Sequence, residues 1–387
     1  MVQKALDLLT GLVSIPSLSG QESQASRYLA EWLIQNGAEA QVDEAGNAVG
    51  RFGSGRKEIL LLGHIDTFPG CIPVRQENNF LYGRGSVDAK GPLCAFAVAA
   101  GQTEILPDWH ITIVGAVEEE AATSKGARHI VAQRQQSGVT PFCCIIGEPS
   151  RWDRITLGYK GRLLMEAMIS APLAHSSGPG KMPAEMGVDF WTTLFGECRT
   201  LNAEKGAQAH FDRISPSLRS IQSGEAGCYG YVSLSLGFRL PSWEPPEALK
   251  NHLAEWLDSW KPVYLQAPIF ETDRSTSPHE DFYPKLHLFL SGEEVCWKGN
   301  KSSILVQSFL ASIRNNQGQP RFVLKTGTSD LNIVGPAFPA IPIAAYGPGD
   351  STLDHTPYER LDLNEYLRSI EILKEVLKKI MLSSIDN

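Results

Sequence analysis

Hydrophobic residues in the first part of the chain follow two patterns, a helical spacing and short apolar runs that are typical of strands. Apolar residues recur at helical spacing near the N-terminus, which predicts a first helix that Pro16 ends. Ser19 and Glu22 have the spacing of a capping box and predict the start of a second helix. Apolar strands that alternate with helices indicate a mostly parallel α/β sheet with helices on both faces. Its strands are predicted at 40–43, 48–52, 58–65, 111–117 and 142–146, with helices at 91–103 and 125–136.

The pattern changes at about residue 160 and returns near residue 300. The middle segment predicts a smaller α+β domain, inserted at residues 160–298 as a lid or dimerisation module. Residues 1–159 and 299–387 would together form one catalytic domain, which a long amphipathic helix closes. The middle segment has predicted strands at 162–170, 230–239 and 285–296 and helices at 187–200 and 246–260. The last segment has a predicted helix at 303–315 and strands at 321–324 and 341–346.

Composition and charge narrow the class of protein. The 387 residues carry a formal charge of −8 without a strongly basic window, so nucleic acid is not an expected partner. Seven cysteines, an odd number without a CxxC pattern, indicate a reducing compartment. No apolar run has the length of a signal peptide core or a membrane span. These features predict a soluble cytoplasmic protein without a membrane partner.

Residue types that ligate metals follow the predicted strands. His64 and Asp66 close the strand 58–65, and Asp88 lies in a glycine-flanked loop before a helix. Side chains alternate along a strand, so Asp66 lies on the same side as His64 and can accept a hydrogen bond from its second ring nitrogen. A turn-capping His-x-Asp and a helix N-cap at Asp88 are the simpler structural interpretations.

Three consecutive glutamates, Glu118, Glu119 and Glu120, end another buried strand. Like charges repel there, so a cation or a raised pKa on one glutamate would relieve the cost. One glutamate could ligate a metal while its neighbour acts as a general base. Glu148 also ends an apolar strand, and His355 follows a glycine-rich loop. Histidines and carboxylates without paired cysteines are typical of a catalytic rather than a structural metal centre.

The order of these motifs resembles the di-zinc metallopeptidase/deacylase family, which includes acetylornithine deacetylase, succinyl-diaminopimelate desuccinylase and carboxypeptidase G. The resemblance covers nearly the whole chain. It includes Gly-His-Ile-Asp-Thr at 63–67, Gly-Arg-Gly-Ser-Val-Asp-Ala-Lys-Gly at 83–91 and Gly-Glu-Pro-Ser at 147–150. The segments at 325–330 and 346–359 are most like the lysine-biosynthesis branch, which releases lysine or ornithine from an amino-group carrier protein.

The resemblance implies two zinc ions per subunit, for which cobalt can substitute. Matched position by position, His64, Asp88 and Glu148 would hold one zinc ion. Asp88, Glu120 and His355 would hold the other, with Asp88 bridging the two. The implied fold is zinc exopeptidase-like, and the inserted domain is implied to form a homodimer.

The resemblance also implies roles for residues that do not bind metal. Glu119 matches the general base and Asp66 the residue that orients a histidine, although a slip by one position within the glutamate triplet stays open. His175 matches a lid histidine that stabilises the oxyanion in a neighbouring subunit's active site. The matches to substrate-binding positions are Arg239, Lys325, Gly327 and Thr328.

The implied function is metal-dependent amide hydrolysis in lysine or arginine biosynthesis. Water activated between the zinc ions would attack the amide that joins lysine or ornithine to an acidic carrier protein, or to a small N-acyl group. N-acetylornithine or N-acetylcitrulline deacetylase, desuccinylase and dipeptidase are alternatives on the same scaffold. A non-catalytic metal- or amino-acid-binding relative is an alternative of another class, against which the pair Glu119–Glu120 speaks. A dinucleotide-dependent oxidoreductase is disfavoured because no GxGxxG follows the first strand.

An acidic carrier protein would need a basic rim on an otherwise acidic enzyme. Arg151, Arg154, Lys160 and Arg162 follow Glu148 closely in the sequence and are the predicted rim. The alternative is that these four cations belong to an ordinary solvated face.

Overall fold

The computed structural model describes residues 2–173, 175, 178, 180–260, 262, 265, 268–274 and 283–383. The chain divides into two units. Unit 1 comprises Met1–Gly158, Lys298–Lys325 and Ser329–Asn387, and unit 2 comprises Tyr159–Trp297 and Thr326–Thr328. Among the described residues, no helix combines the length and the apolar character that a membrane crossing requires.

The helices follow the predicted positions, with one short addition. The addition is α8, which contains a proline and was not predicted. The helices are α1 Val2–Val13, α2 Ser23–Gln35, α3 Lys90–Gly101, α4 Lys125–Ser137 and α5 Pro183–Glu204. They continue with α6 Pro246–Ser259, α7 Ile304–Asn315, α8 Leu331–Ala337 and α9 Leu363–Ser383.

The strands are more numerous than the sequence predicted. In the first part of unit 1 they are β1 Glu39–Val42, β2 Ala48–Phe52, β3 Lys57–His64, β4 Arg75–Glu77, β5 Phe80–Tyr82, β6 Trp109–Ala116 and β7 Cys143–Gly147. The middle of the chain forms β8 Arg154–Tyr159, β9 Gly161–Pro172, β10 Ser215–Ala226, β11 Tyr229–Leu240, β12 Ile269–Glu271, β13 Lys285–Glu294 and β14 Trp297–Lys298. The last are β15 Arg321–Lys325, β16 Ile343–Ala345 and β17 Arg360–Asp362.

The large sheet has four parallel strands at its centre. Within the described residues its order is β1-β2-β6-β3-β7-β16-β8-β14, with β15 paired to β8. The pairs β6–β3, β3–β7 and β7–β16 are parallel, whereas β1–β2, β2–β6 and β16–β8 are antiparallel. The crossovers β3–α3–β6 and β6–α4–β7 run in opposite directions across the sheet. Because such crossovers are right-handed, α3 and α4 lie on opposite faces, as predicted for this fold class.

The core of unit 1 explains why its central strands are continuous apolar runs. Every residue of β6 is buried, because helices cover the parallel strands on both faces. The helix α3 is buried from Lys90 to Ala100. Its glycine and alanine residues have small side chains, so neighbouring elements can approach the helix closely. Even Lys90 is fully buried, where its Nζ donates to the carbonyl oxygens of Leu12 and Ile15 at 3.1 and 2.6 Å.

Unit 2 contains a sheet of five strands among the described residues, in the order β10-β11-β9-β13-β12. Alternate side chains of β9 and β11 are buried, and they pack with Phe190 of α5 and Leu253 of α6. The sequence predicted three of these strands and missed β12 and β10, of which β10 pairs along its length with β11. Most of β10 is exposed, so it lacks the alternating apolar pattern that identifies a strand.

A buried ion pair links β3 to α4 in unit 1. Glu58, which is 3% exposed, accepts hydrogen bonds from Arg134 Nη2 at 2.6 Å, Arg134 Nε at 3.0 Å and Thr112 Oγ1 at 2.6 Å. Burial alone would raise the pKa of Glu58, but hydrogen bonds with His110 and Arg134 lower it to about 2. The pair therefore stabilises the fold above the ordinary pKa of the carboxyl, 4.5, and this stabilisation is lost as the pH falls toward 2.

We expect the substitution Arg134→Met to lower the free energy of unfolding at pH 7 by about 3–5 kcal/mol, because it leaves a buried charge without its main partner. Urea unfolding at pH 7 and at pH 3.5 measures the effect. The loss should shrink at the lower pH, where Glu58 is protonated more readily. The double variant Glu58→Gln/Arg134→Met should recover part of the loss, and equal losses at the two pH values would contradict this account.

Candidate metal centre

Three parallel strands end at the same level and deliver the candidate ligands. His64 is the last residue of β3 and lies opposite Ala116, the last residue of β6. Gly63 pairs with Gly147 at the end of β7, so Glu148 follows at the level of His64. The three glutamates that follow β6 therefore begin beside His64. The carboxyl edge of a parallel sheet is where such folds bind ligands.

Four of the predicted metal ligands contact one another. His64 Nε2 lies 3.3 Å from Asp88 Oδ1, and His355 Nε2 lies 3.1 Å from Asp88 Oδ2. His355 Nε2 also lies 3.0 Å from Glu120 Oε1. Ligand atoms of His64, Asp88 and Glu120 all lie within 4.8 Å of one another. Since each oxygen of Asp88 faces a different histidine, Asp88 has the geometry of a bridging carboxylate.

The ring of His64 is held from its other side by Asp66. His64 Nδ1 lies 3.0 Å from the backbone oxygen of Asp66 and 3.4 Å from Asp66 Oδ1. The nearer partner is thus the carbonyl, whereas the sequence suggested the carboxylate. Either contact places the proton on Nδ1 and leaves Nε2 as the ligand atom.

The carboxylate of Asp66 also holds the backbone of the glutamate loop. Its oxygens accept hydrogen bonds from Glu119 N and Glu120 N, each at 3.0 Å. Ser19 Oγ donates to Asp66 Oδ2 at 2.7 Å. The predicted capping box at Ser19 is therefore wrong, because this hydroxyl is used by Asp66, and α2 begins without a side-chain cap.

The first glutamate of the triplet is turned away from this cluster. Glu118 Oε2 accepts a hydrogen bond from Thr123 Oγ1 at 2.8 Å, and Oε1 lies 3.6 Å from Lys125 Nζ. Its backbone has φ of +58°, in the left-handed region that side chains disfavour. The N–H of Glu118 donates to Glu22 Oε1 at 3.1 Å, a contact that helps to hold this turn. The sequence pattern predicts only a capping-box role for Glu22, so this contact was not predicted.

Acidic groups accumulate around Asp88 beyond what the nearby cations balance. Burial, followed by the charge of Asp88, raises the pKa of Glu148 to about 7. The same two causes raise the pKa of Asp354 to about 9, although Lys325 opposes the shift. Burial, together with the charge of Glu148, also raises the pKa of Glu119 well above its ordinary value. These carboxylates repel one another, and a bound divalent cation would relieve that repulsion.

The histidines carry the opposite shifts. Hydrogen bonds with Asp88 and Glu120 raise the pKa of His355 to about 10. Burial would lower the pKa of His64, but its hydrogen bonds with Asp66 and Asp88 raise it well above the ordinary value. The positive charge of a protonated histidine offsets part of the negative charge of these carboxylates, as a bound cation would. The oxygen and imidazole donors therefore fit one or more divalent metal ions.

Two of the predicted substrate and lid residues, Arg239 and Thr328, contact each other in the part of the chain that the structure describes. Arg239 Nη1 donates to Thr328 Oγ1 at 2.8 Å within unit 2. His175 is exposed in unit 2, and a side chain at Gly327 would meet no atom within 4 Å. Lys325 lies close enough to Glu148 to lower its pKa.

The predicted basic rim is wrong as a single surface. Lys160 is fully buried, and its Nζ donates to the carbonyl oxygens of His210 and Arg213. Arg162 donates to the carbonyl oxygen of Gly292 at 3.0 Å and is mostly buried. Arg151 is paired with Asp350, and Arg154 Nε lies 3.8 Å from Asp153 Oδ1. The sequence could not separate such internal cations from exposed ones, because the partners of Lys160 and Arg162 are backbone carbonyl oxygens far along the chain.

Two residues beside the cluster were not predicted from the sequence. The ring of Phe68 stacks on the ring of His355, with centroids 4.1 Å apart and planes at 9°. Glu359 is fully buried, and its carboxylate accepts hydrogen bonds from the backbone N–H groups of Val87 and Asp88 at 2.9 and 3.1 Å. The available signal for Glu359 was an acid four residues after a candidate ligand, outside any predicted helix or strand.

The fold and the cluster of histidine and carboxylate side chains define a class of metal-dependent hydrolases. A family model, Peptidase family M20/M25/M40, matches residues 60–379. This match spans most of the chain, which therefore belongs to that family. The prediction of a metal-dependent hydrolase of this metallopeptidase/deacylase family is thereby confirmed.

Curated relatives and solved structures match along the full length. The chain is 40% identical to the "[LysW]-lysine hydrolase" of Deinococcus radiodurans, over 98% of each protein. It is 36% identical to the "Putative [LysW]-lysine/[LysW]-ornithine hydrolase" of Thermococcus kodakarensis, over 98% of this chain and 92% of the relative. The M20 family metallo-carboxypeptidase Sso-CP2 of Sulfolobus solfataricus has a TM-score of 0.75 at 18% identity. That alignment covers 98% of this chain and 99% of the other, and it shows the fold.

Proposed function

We propose that this hydrolase releases lysine from the carrier protein LysW by cleaving the amide bond between them. The observation that carries the proposal is the contact of Asp88 with both His64 and His355, in a chain 40% identical to a "[LysW]-lysine hydrolase". A carrier-bound amide is a substrate for the hydrolytic chemistry of the family. The prediction of this branch of the family from the sequence motifs agrees with the names of the relatives.

Two zinc ions per subunit, replaceable by cobalt, are the proposed cofactors. His64, Asp88 and Glu148 would hold one ion, and Asp88, Glu120 and His355 the other. Bound divalent ions supply Lewis acidity, which acidifies water and polarises the amide carbonyl group. The support is the donor set itself, because soft cysteine ligands are not part of the cluster and each oxygen of Asp88 faces one histidine.

Glu119 is the proposed general base. Its backbone N–H is fixed by Asp66, and its neighbour Glu120 contacts His355, which orients the triplet with Glu118 outside the cluster. The carboxylate would take the proton of the attacking water and then give it to the leaving amine. Burial raises the pKa of Glu119, and a raised pKa favours a carboxylate that accepts a proton and then returns it.

Unit 2 is the proposed lid and homodimerisation domain. Arg239, Thr328, Gly327 and Lys325 would bind the charged groups of the amino acid, and the hydrogen bond between Arg239 and Thr328 supports a joint role for these two. His175 would stabilise the oxyanion of the transition state.

All seven cysteines are free, which supports a reducing, cytoplasmic location.

We expect the purified enzyme to hydrolyse a LysW–lysine conjugate, and chelation to abolish this activity until zinc or cobalt is restored. A panel with matched N-acetyllysine, N-acetylornithine, N-acetylcitrulline and succinyl-diaminopimelate measures specificity as kcat/KM. The same amide bond presented on a short LysW peptide that contains the attachment residue tests whether the whole carrier is recognised. Faster hydrolysis of any free N-acyl amino acid would contradict the carrier proposal while leaving the metal-dependent chemistry intact.

A further inference from the structure

Glu359 connects the loop that carries Asp88 to the loop that carries His355. Glu359 Oε1 accepts hydrogen bonds from Val87 N at 2.9 Å and from Asp88 N at 3.1 Å. Glu359 Oε2 accepts a hydrogen bond from Arg84 Nη1 at 2.7 Å. One carboxylate therefore binds the backbone at Asp88 and the side chain of a residue four positions before it.

The backbone before Asp88 needs such a restraint because of its glycines. Gly83 and Gly85 have φ of +159° and +82°, and Gly85 lies in the left-handed region that glycine adopts readily. A segment with this freedom does not fix the direction of the Asp88 side chain by itself. Two hydrogen bonds to one oxygen of Glu359 prevent the peptide groups at Val87 and Asp88 from rotating independently.

His355 is restrained through the same group of residues. Its backbone has φ of +60°, a strained value for a histidine, and its ring stacks on Phe68. The guanidinium carbon of Arg84 lies 6.0 Å from the centroid of the Phe68 ring. The contacts thus form a closed circuit. His355 stacks on Phe68, Phe68 lies beside Arg84, and Arg84 donates a hydrogen bond to Glu359. Glu359 follows His355 by four residues in the chain, which completes the circuit.

We propose that Glu359 is a positioning residue that sets the distance between Asp88 and His355, with Arg84 and Phe68 completing the support. The inference rests on the proposed metal centre, since it assigns to Glu359 the placement of two of its ligands. The carboxylate is fully buried, a location that is costly for a charge unless its partners satisfy it. Its partners are the backbone N–H of Asp88, one proposed ligand, and Arg84, which lies beside the Phe68 ring that stacks on His355, another proposed ligand. The buried carboxylate therefore supports two residues of the proposed metal centre.

The test compares metal binding to the metal-free wild type and to the variant Glu359→Gln. Cobalt titrations followed by visible absorption and by calorimetry report affinity and coordination without any turnover. Groups that orient metal ligands typically contribute 10–100-fold to metal affinity, so we expect a loss of about that size and a changed cobalt spectrum. In steady-state assays of the zinc enzyme, kcat should fall while KM for the substrate changes little.

Glu58→Gln is the matched control. Glu58 is also a buried carboxylate paired with an arginine, but it lies near the start of β3, six residues from His64. The same chemical change there should alter stability and leave cobalt affinity and spectrum as in the wild type. Equal losses of affinity in both variants would show a general effect of destabilisation and would overturn the proposal.

A second variant distinguishes positioning from loss of fold. In Glu359→Gln the new side-chain amide would present a donor either to Arg84 or to the two backbone N–H groups, so Glu359→Gln/Arg84→Met removes that conflict. We expect the double variant to regain only the part of the cobalt affinity that depends on the hydrogen bonds to Val87 N and Asp88 N, because the support of Phe68 by Arg84 is lost with the arginine. No recovery in the folded double variant would contradict the role of these two hydrogen bonds. If Glu359→Gln does not fold, Phe68→Leu tests the same circuit of contacts, because Phe68 is 38% exposed and its loss should weaken mainly the ion at His355.

The outcomes separate this inference from the proposed function. Wild-type protein that binds no cobalt would contradict the metal centre itself. Wild-type protein that binds cobalt and hydrolyses the conjugate, together with unchanged affinity and spectrum in folded Glu359→Gln, would overturn only the role of Glu359.

Discussion

Replacing Glu119 by glutamine should lower kcat by about 10²–10⁴-fold, because the variant loses the group that accepts the proton of the attacking water. Metal content should stay at the wild-type level, since Glu119 is outside both proposed ligand sets. Stopped assays with the LysW–lysine conjugate, combined with elemental analysis of the same sample, measure both quantities. Glutamine keeps the size of the side chain and leaves the backbone hydrogen bond to Asp66 available.

Glu118→Gln is the matched control for this experiment. The Glu118 carboxylate contacts Thr123 and Lys125 at distances of 2.8 and 3.6 Å. The control variant should therefore retain most of the activity. A large loss in Glu118→Gln with near-normal turnover in Glu119→Gln would show that the base is one position earlier. Loss of metal from Glu119→Gln would instead identify Glu119 as a ligand.

The sequence predicted that residues far apart in the chain would lie close together, because they follow parallel strands that end at the same edge of the sheet. His64, Glu148 and the glutamate triplet each follow a strand of the α/β pattern, and the carboxyl ends of parallel strands share one edge. The motif resemblance added Asp88 and His355, which lie on loops that no periodicity could place. Asp88 Oδ1 lies 3.3 Å from His64 Nε2, and His355 Nε2 lies 3.0 Å from Glu120 Oε1, whereas the ligand sets that the resemblance implied stay a prediction.

The sequence could not predict contacts that depend on backbone groups or on the outer face of a strand. Ser19 fits a capping box by spacing, yet its hydroxyl binds Asp66, which is 47 residues away in the chain. Glu359 binds backbone N–H groups, and any residue type can supply these, so no pattern marks its partners. Lys160 lies between β8 and β9 and is fully buried, and a run of basic residues does not reveal which of them are turned inward.

Replacing Asp88 by alanine should remove both metal ions, whereas His355→Ala should remove one. Asp88 is the residue whose two oxygens face different histidines, at 3.3 and 3.1 Å, so both ligand sets lose an oxygen donor together. Lewis-acid stabilisation of the transition state is worth several kcal/mol, so hydrolysis should fall by at least about 10³-fold. Elemental analysis after dialysis against a weak chelator gives the stoichiometry of each variant.

His355→Ala is informative because it separates the two ligand sets. His64, Asp88 and Glu148 would remain, so one ion should stay bound with an affinity near that of the wild type. The substitution also removes the histidine that contacts both Asp88 and Glu120. The fold should tolerate this loss because the His355 side chain is 43% exposed. An Asp88→Ala protein that keeps one tightly bound ion would contradict the bridging role, since two independent sites would then share no ligand.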